Sequence, residues 1–262
     1  MSGGPGSSRT TDVGAPAGAI ASAMAARWLV GAHSERGARR GTNMDALFVA
    51  PHSGLVVLAD GMGSTSRGGE AAAMAVAVFA EHLAAVRDEE QVNAAVAAVQ
   101  ERLVAEFAPA GLLTGASTLC ALVAVADSDE LIVVNVGDSR AHLLREGVLQ
   151  VLTTDHTVAA HLVAVGAAEP DSPLVRRTTN HLRRYLGNPA GASADLTRLR
   201  PVPGDAVLLS TDGVHGALSN AQMADILAGS PDPELSARRL VVAAAAAGGT
   251  DDASAVVVRP RP

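Results

Sequence analysis

The stretch Leu55-Val56-Val57-Leu58-Ala59-Asp60-Gly61-Met62-Gly63 constrains this chain more than any other. Its unbroken apolar run predicts a buried strand. The strand ends on a carboxylate followed by Gly-x-Gly. An Asp in that place stays charged only if it is paired, hydrogen-bonded or metal-bound. Gly61 has no side chain, so its carbonyl can come close to whatever Asp60 holds. Two more acidic turns follow downstream. Leu208-Leu209-Ser210-Thr211-Asp212-Gly213 repeats the form, and Gly248-Gly249-Thr250-Asp251-Asp252 leads into Ala255-Val256-Val257-Val258. Taken singly, Asp-Gly is a common turn. As a set, Asp60, Gly61, Asp212 and Asp251 have the oxygen donors that Mn²⁺ and Mg²⁺ prefer. Two such ions bridged by a carboxylate activate a water and steady the leaving oxygen of a phosphoryl group.

The rest of the chain narrows the setting. The 262 residues suffice for one domain with a large core. A net charge of −7 argues against a general nucleic-acid binder, and with three Phe, one Trp and one Tyr there is little to stack bases on. No apolar run reaches the length of a membrane span. One cysteine excludes an internal disulfide framework and suits a reducing, cytoplasmic compartment. Residues 1–26, rich in Gly, Ser, Pro and Ala, read as a disordered leader, and a folded domain is expected over 27–262.

Strands are expected at Trp28–Ala32, Leu47–Val49, Leu55–Ala59, Thr118–Ala126, Leu131–Val136, Ala141–Leu144, Val148–Leu152, Ala206–Ser210 and Ala255–Val258. Helices are expected at Arg67–Arg87, Gln91–Phe107, Thr157–Val165, Ser219–Ala228 and Pro233–Ala247. This order lacks regular β-α alternation, so the expected class is α+β, with two antiparallel sheets covered by helices.

Several short motifs carry a resemblance. In order they are Arg40-x4-Asp45, Ala59-Asp60-Gly61-Met62-Gly63, Gly115-Ala116-Ser117-Thr118, Asn135-Val136-Gly137-Asp138-Ser139-Arg140, Thr154-Asp155-His156, Arg184-Tyr185-Leu186-Gly187, Ser210-Thr211-Asp212-Gly213 and Gly248-Gly249-Thr250-Asp251-Asp252. Together they resemble the bacterial metal-dependent type 2C protein Ser/Thr phosphatases over roughly residues 28–258. The resemblance implies a four-layer α-β-β-α sandwich with a Mn²⁺ or Mg²⁺ pair at one end of the sheets. By position, Asp60 bridges both metals, the Gly61 carbonyl binds the second, and Asp212 and Asp251 bind the first. Asp138 joins Asp212 at a third, weaker ion. Arg40 grips substrate phosphate with its planar fork. The implied partners are phosphorylated proteins, targets of Ser/Thr kinases, and a monomer is expected. Residues from about Leu162 to Thr178 fall where the family has a variable flap.

There are departures from the family pattern. Met44 stands where the family usually has a Glu that holds a metal-bound water, and Asp252 stands where Asn is usual. Met44 is the one support for a rival reading, a catalytically weak phosphatase fold that binds or senses. Three other readings are set aside. A dinucleotide loop at Gly61-Met62-Gly63 would aim Asp60 at a pyrophosphate. In an aspartyl-phosphate motif at Asp127-Ser128-Asp129-Glu130, Leu131 breaks the pattern, and the segment reads as a hairpin turn. Cys120 lies inside a strand, with no phosphate-cradling loop, and reads as core.

Overall fold

The computed structural model describes residues 27–63, 66–83, 88–125 and 128–261. The expected leader at 1–26 lies outside them. Among the described residues eleven strands form: β1 (Trp28–Glu35), β2 (Asp45–Ala50), β3 (Leu55–Gly63), β4 (Gly115–Ser117), β5 (Leu119–Ala124), β6 (Leu131–Val136), β7 (Arg140–Arg145), β8 (Val148–Val151), β9 (Asp195–Leu199), β10 (Ala206–Ser210) and β11 (Ala253–Pro260). The α-helices are α1 (Arg67–His82), α2 (Glu89–Phe107), α3 (Val158–Ala164), α4 (Pro173–Thr178), α5 (Asp212–His215), α6 (Asn220–Ala228) and α7 (Pro233–Ala246).

One sheet runs β1-β11-β10-β7-β8, and the other runs β2-β3-β5-β6-β9 with β4 paired to the end of β3. All the pairings are antiparallel. Side chains alternate across a strand, and this splits β3 between two cores. Leu55, Val57 and Ala59 face α1 and α2, where they meet Phe79 and Leu103. Val56 and Leu58 face the opposite sheet, where they meet Val207, Leu209 and Val256. On the far side of that sheet, Leu208 and Val257 pack on Met223 of α6 and Leu240 of α7. Burial on both faces explains the unbroken apolar run. The three cores separate four layers, helix, sheet, sheet, helix, as the sequence predicts.

The helices begin where local chemistry starts them. Asp88 accepts from the Gln91 N–H, Ser219 and Gln222 form a reciprocal cap, and Asp232 precedes Pro233 at the first turn of α7. Some expected boundaries were wrong. Thr118 interrupts the expected strand Thr118–Ala126, because its side chain and N–H are used to hold Asp60. The first helix ends at His82, short of Arg87. Strands β4 and β9 and helices α4 and α5 were not foreseen. Three of the five β9 residues, Asp195, Thr197 and Arg198, are polar, and only Leu199 is buried, so the strand has no apolar run to reveal it. Helix α4 did carry a signal, Ser172 capping Pro173 at the first position.

Candidate metal centre

Leu58 of β3 faces the space between the sheets, and so does Asp60 two residues on. Asp212 follows β10, Asp251 precedes β11, and Asp138 lies between β6 and β7. In an antiparallel sandwich these positions fall at one end of the inter-sheet layer. Asp60 is fixed by its backbone. Its N–H donates to Thr118 Oγ1 at 2.9 Å, and its carbonyl accepts from the Thr118 N–H at 2.9 Å.

Asp45 belongs to the same group. The β2–β3 register sets it directly opposite Asp60. Its Oδ2 accepts from the hydroxyls of Ser254 (2.6 Å) and Thr211 (3.0 Å), which ties β2 to the other sheet. Its Oδ1 is buried and has no hydrogen-bond partner. Arg40-x4-Asp45 was part of the motif, yet no role was given to Asp45. The signal was available. The turn at 51–54 pairs Ala50 with Leu55, and counting back along both strands reaches Asp45 and Asp60.

The electrostatics are those of a crowded acidic site. Burial raises Asp60 well above the ordinary carboxylate value, and Asp45, Asp212, Asp138 and Asp251 add to the rise. Burial pushes Asp45 up to about 7, against the pull of its two hydroxyl donors. Asp138 also sits at about 7, through burial and then the charges of Asp212 and Asp155. Asp212 is raised by burial and Asp251, and partly relieved by Arg40 and Arg140. Arg140 is itself held by Asp155 in a two-bond pair of 2.8 and 2.6 Å.

Four carboxylates, Asp45, Asp60, Asp138 and Asp212, are raised by burial and then by neighbouring charges, and one has an orphaned buried oxygen; with Asp251 beside them they fit a divalent cation in donor type and in charge. Among the described residues, however, no three acidic or imidazole side chains form a ready-made cage. The ion pair at Arg40 accounts for part of this. Arg40 Nε and Nη2 donate to Asp251 Oδ1 and Oδ2 at 2.7 and 2.9 Å, so a guanidinium occupies the carboxylate expected to hold a metal. Both side chains are about two-fifths exposed, at 38% and 41%. A pair that exposed is worth roughly 0–1 kcal/mol and parts easily. The electrostatics outweigh the absent cage, because a shared charge excess persists through small side-chain movements.

The neighbouring residues have separate tasks. Asp252 turns inward and accepts from the N–H groups of Gly37 and Met44, both at 2.8 Å, anchoring the loop that carries Arg40. Met44 is buried, with its Cγ near Gly69 at the start of α1. Gly61 is required for close packing: a Cβ there would lie 2.2 Å from the Gly68 carbonyl oxygen and 2.6 Å from that of Met44. His156 is structural. Its Nδ1 accepts from the Gly137 N–H at 3.0 Å, and its Nε2 bonds Asp195 at 3.0 Å.

A family model described as protein phosphatase 2C matches residues 31–234. The chain is 28% identical over 180 residues to the serine/threonine phosphatase stp of Listeria innocua, covering 66% of this chain and 71% of that one. It is 30% identical over 217 residues to the serine/threonine protein phosphatase PstP of Mycobacterium tuberculosis. That match covers 80% of this chain and spans 40% of the relative's length. A crystal structure of the M. tuberculosis phosphatase PstP/Ppp superposes with a TM-score of 0.80 at 29% identity, covering 89% of this chain and 98% of that one. The PstP catalytic domain in complex with two manganese ions superposes with a TM-score of 0.78 at 28% identity, covering 90% and 99%.

Proposed function

The chain belongs to the protein phosphatase 2C family, and on that footing we propose that it hydrolyses phosphoserine and phosphothreonine in proteins, using a Mn²⁺ or Mg²⁺ pair. The observation that carries this reading is the convergence of Asp45, Asp138, Asp212 and Asp251 on buried Asp60 at one sheet end, where all four charges raise the proton affinity of Asp60. Asp60, Asp212, Asp251 and the Gly61 carbonyl are the proposed ligands of the pair, and Asp138 with Asp212 those of a third, weaker ion. The bound pair would supply Lewis acidity that makes water nucleophilic at neutral pH and offsets phosphoryl charge. Asp45 lies opposite Asp60 across the hairpin, and its buried Oδ1 has no hydrogen-bond partner.

Arg40 is the proposed phosphate anchor. Its fork already grips the two oxygens of Asp251, and a phosphate offers the same pair of acceptors. All these residues come from a single chain, so the proposed site is complete in a monomer. No helix among the described residues is long and apolar enough to cross a membrane.

The test is hydrolysis of a phosphothreonine peptide and of a small aryl phosphate with Mn²⁺, then with excess chelator. Turnover should appear with the metal and vanish with the chelator. Turnover that persists in chelator would overturn the two-metal reading. No turnover at any Mn²⁺ level would favour the weak or sensing module, the alternative raised by Met44.

Arg40→Ala is expected to lower kcat/KM by about ten- to a hundred-fold, the equivalent of one charged hydrogen bond of roughly 1.5–3 kcal/mol. Arg40→Lys should recover only part, because an ammonium cannot bond two oxygens in one plane. Steady-state kinetics on the peptide decide it, and an unchanged kcat/KM in Arg40→Ala removes Arg40 from the phosphate site.

A further inference from the structure

Beside the acidic cluster lies an open cavity of about 330 Å³. Its walls include Met62, Leu113, Ala116, Asn180, Leu182 and Tyr185. Three separate parts of the chain meet there. Met62 is on β3, two residues past Asp60. Ala116 is on β4 and pairs with Met62. Leu182 and Tyr185 come from the segment between α4 and β9, which is held to the site by a bridge between Leu182 and Thr157 and by another between Leu186 and Ser117. Leu113, also in the lining, is 40% exposed. It precedes Thr114, whose N–H donates to the Phe107 carbonyl at 2.7 Å.

The cavity shares strand β3 with the metal centre. Residues two apart on a strand point the same way, about 7 Å from each other. Asp60 and Met62 are such a pair, so one strand face carries the acidic site and the cavity floor. An extended peptide has the same repeat. With its phosphorylated residue over Asp60, the side chain two residues away reaches the cavity. Among the described residues that line the cavity none is charged. A charged side chain entering it would lose water and gain no counter-charge.

Resting on the phosphatase reading, we propose that this cavity is a substrate pocket for an uncharged, apolar side chain two residues from the phosphorylated Ser or Thr. The pocket makes Leu113, Leu182 and Tyr185 specificity-determining residues. It is a selectivity device for protein substrates, and a small aryl phosphate does not reach it.

The test uses phosphothreonine peptides with Leu, Ala or Asp two residues before or after the phosphothreonine. At one of these two positions, the wild-type kcat/KM for Leu should exceed that for Asp by about tenfold, a modest discrimination for an apolar pocket. Leu113→Asp should bring that ratio close to one, and Leu113→Arg should invert it in favour of Asp. The ratio is taken within each variant, so a general loss of activity cancels. Equal rates for Leu, Ala and Asp at both positions in the wild type would overturn the proposal, as would an unchanged ratio in both variants. Aryl phosphate hydrolysis with Mn²⁺ is measured alongside and reports on the phosphatase reading alone. Should it be absent, fluorescence anisotropy with the same labelled peptides still ranks Leu against Asp and decides the pocket.

Discussion

Asp60→Asn is expected to lower turnover of a phosphothreonine peptide by about a thousand-fold or more, since residues that merely orient a metal ligand are already worth 10- to 100-fold. Asp60 holds the most exacting position in the site. It follows directly on a run of five buried residues, and both its backbone groups are fixed by Thr118. Asn keeps the shape and removes the charge. The same substitution should raise the melting temperature of the metal-free protein. In the wild type the Asp60 carboxylate is opposed by Asp45, Asp212, Asp138 and Asp251, and an amide is not. Lower activity with higher metal-free stability is the signature of a functional charge held against its surroundings. A variant within tenfold of wild-type turnover would remove Asp60 from the metal site. One that melts lower in chelator would contradict the electrostatic account.

The second large effect is a pH-dependent response to Mn²⁺. The rise in melting temperature on adding Mn²⁺ should be small at pH 5 and about 10 °C at pH 8, taking a few kcal/mol at roughly 2–4 °C each for a chain of this size. The sign follows from the carboxylates. In the folded, metal-free protein Asp45 and Asp138 keep their protons up to about 7, against an ordinary value of 3.8. Between those values the folded state binds more protons than the unfolded one, so these groups weaken the metal-free fold as pH rises. Each costs on the order of 4 kcal/mol once ionised. The two costs are not additive, because both include repulsion from Asp212. A cation replaces the protons, so its benefit grows with pH.

Buried histidines act in the opposite direction. Burial lowers His142 to about 4 and also lowers His156 and His215, so all three favour the folded state as pH rises toward 6.5. A nearby cation can only lower these histidines further, which adds to the stabilisation by metal as pH rises and leaves the sign unchanged. Asp195 and Asp205 have lowered values, through their Arg and His partners against burial, and act only below 3.8. Melting curves in Mn²⁺ and in chelator across this range give the answer, and a Mn²⁺ shift that is flat or falls with pH would defeat the account.

What the sequence alone determined was local. The run Leu55–Ala59 marked a buried strand and Asp60 the residue that follows it, whereas the strand itself continues to Gly63 because β4 pairs with Gly61–Gly63. The acidic turns at Asp212 and Asp251 were legible for the same reason, because hydrophobic runs and the residues that end them are written in consecutive positions. Ser219, as a cap, and Pro233, at a first turn, announced their helices through short-range effects. The tertiary structure decided the rest. Asp45 became a partner of Asp60 through strand register, and its two hydroxyl donors come from residues 166 and 209 positions away. The Arg40–Asp251 pair spans 211 positions, and Asp252 reaches back a similar distance to hold the Arg40 loop. Strand β9 exists because β6 offers it an edge, its own residues being mostly exposed. The cavity draws its walls from three segments with no shared pattern. Such features depend on which faces meet once the two sheets pack, and packing acts on surfaces that the order of residues along the chain does not display.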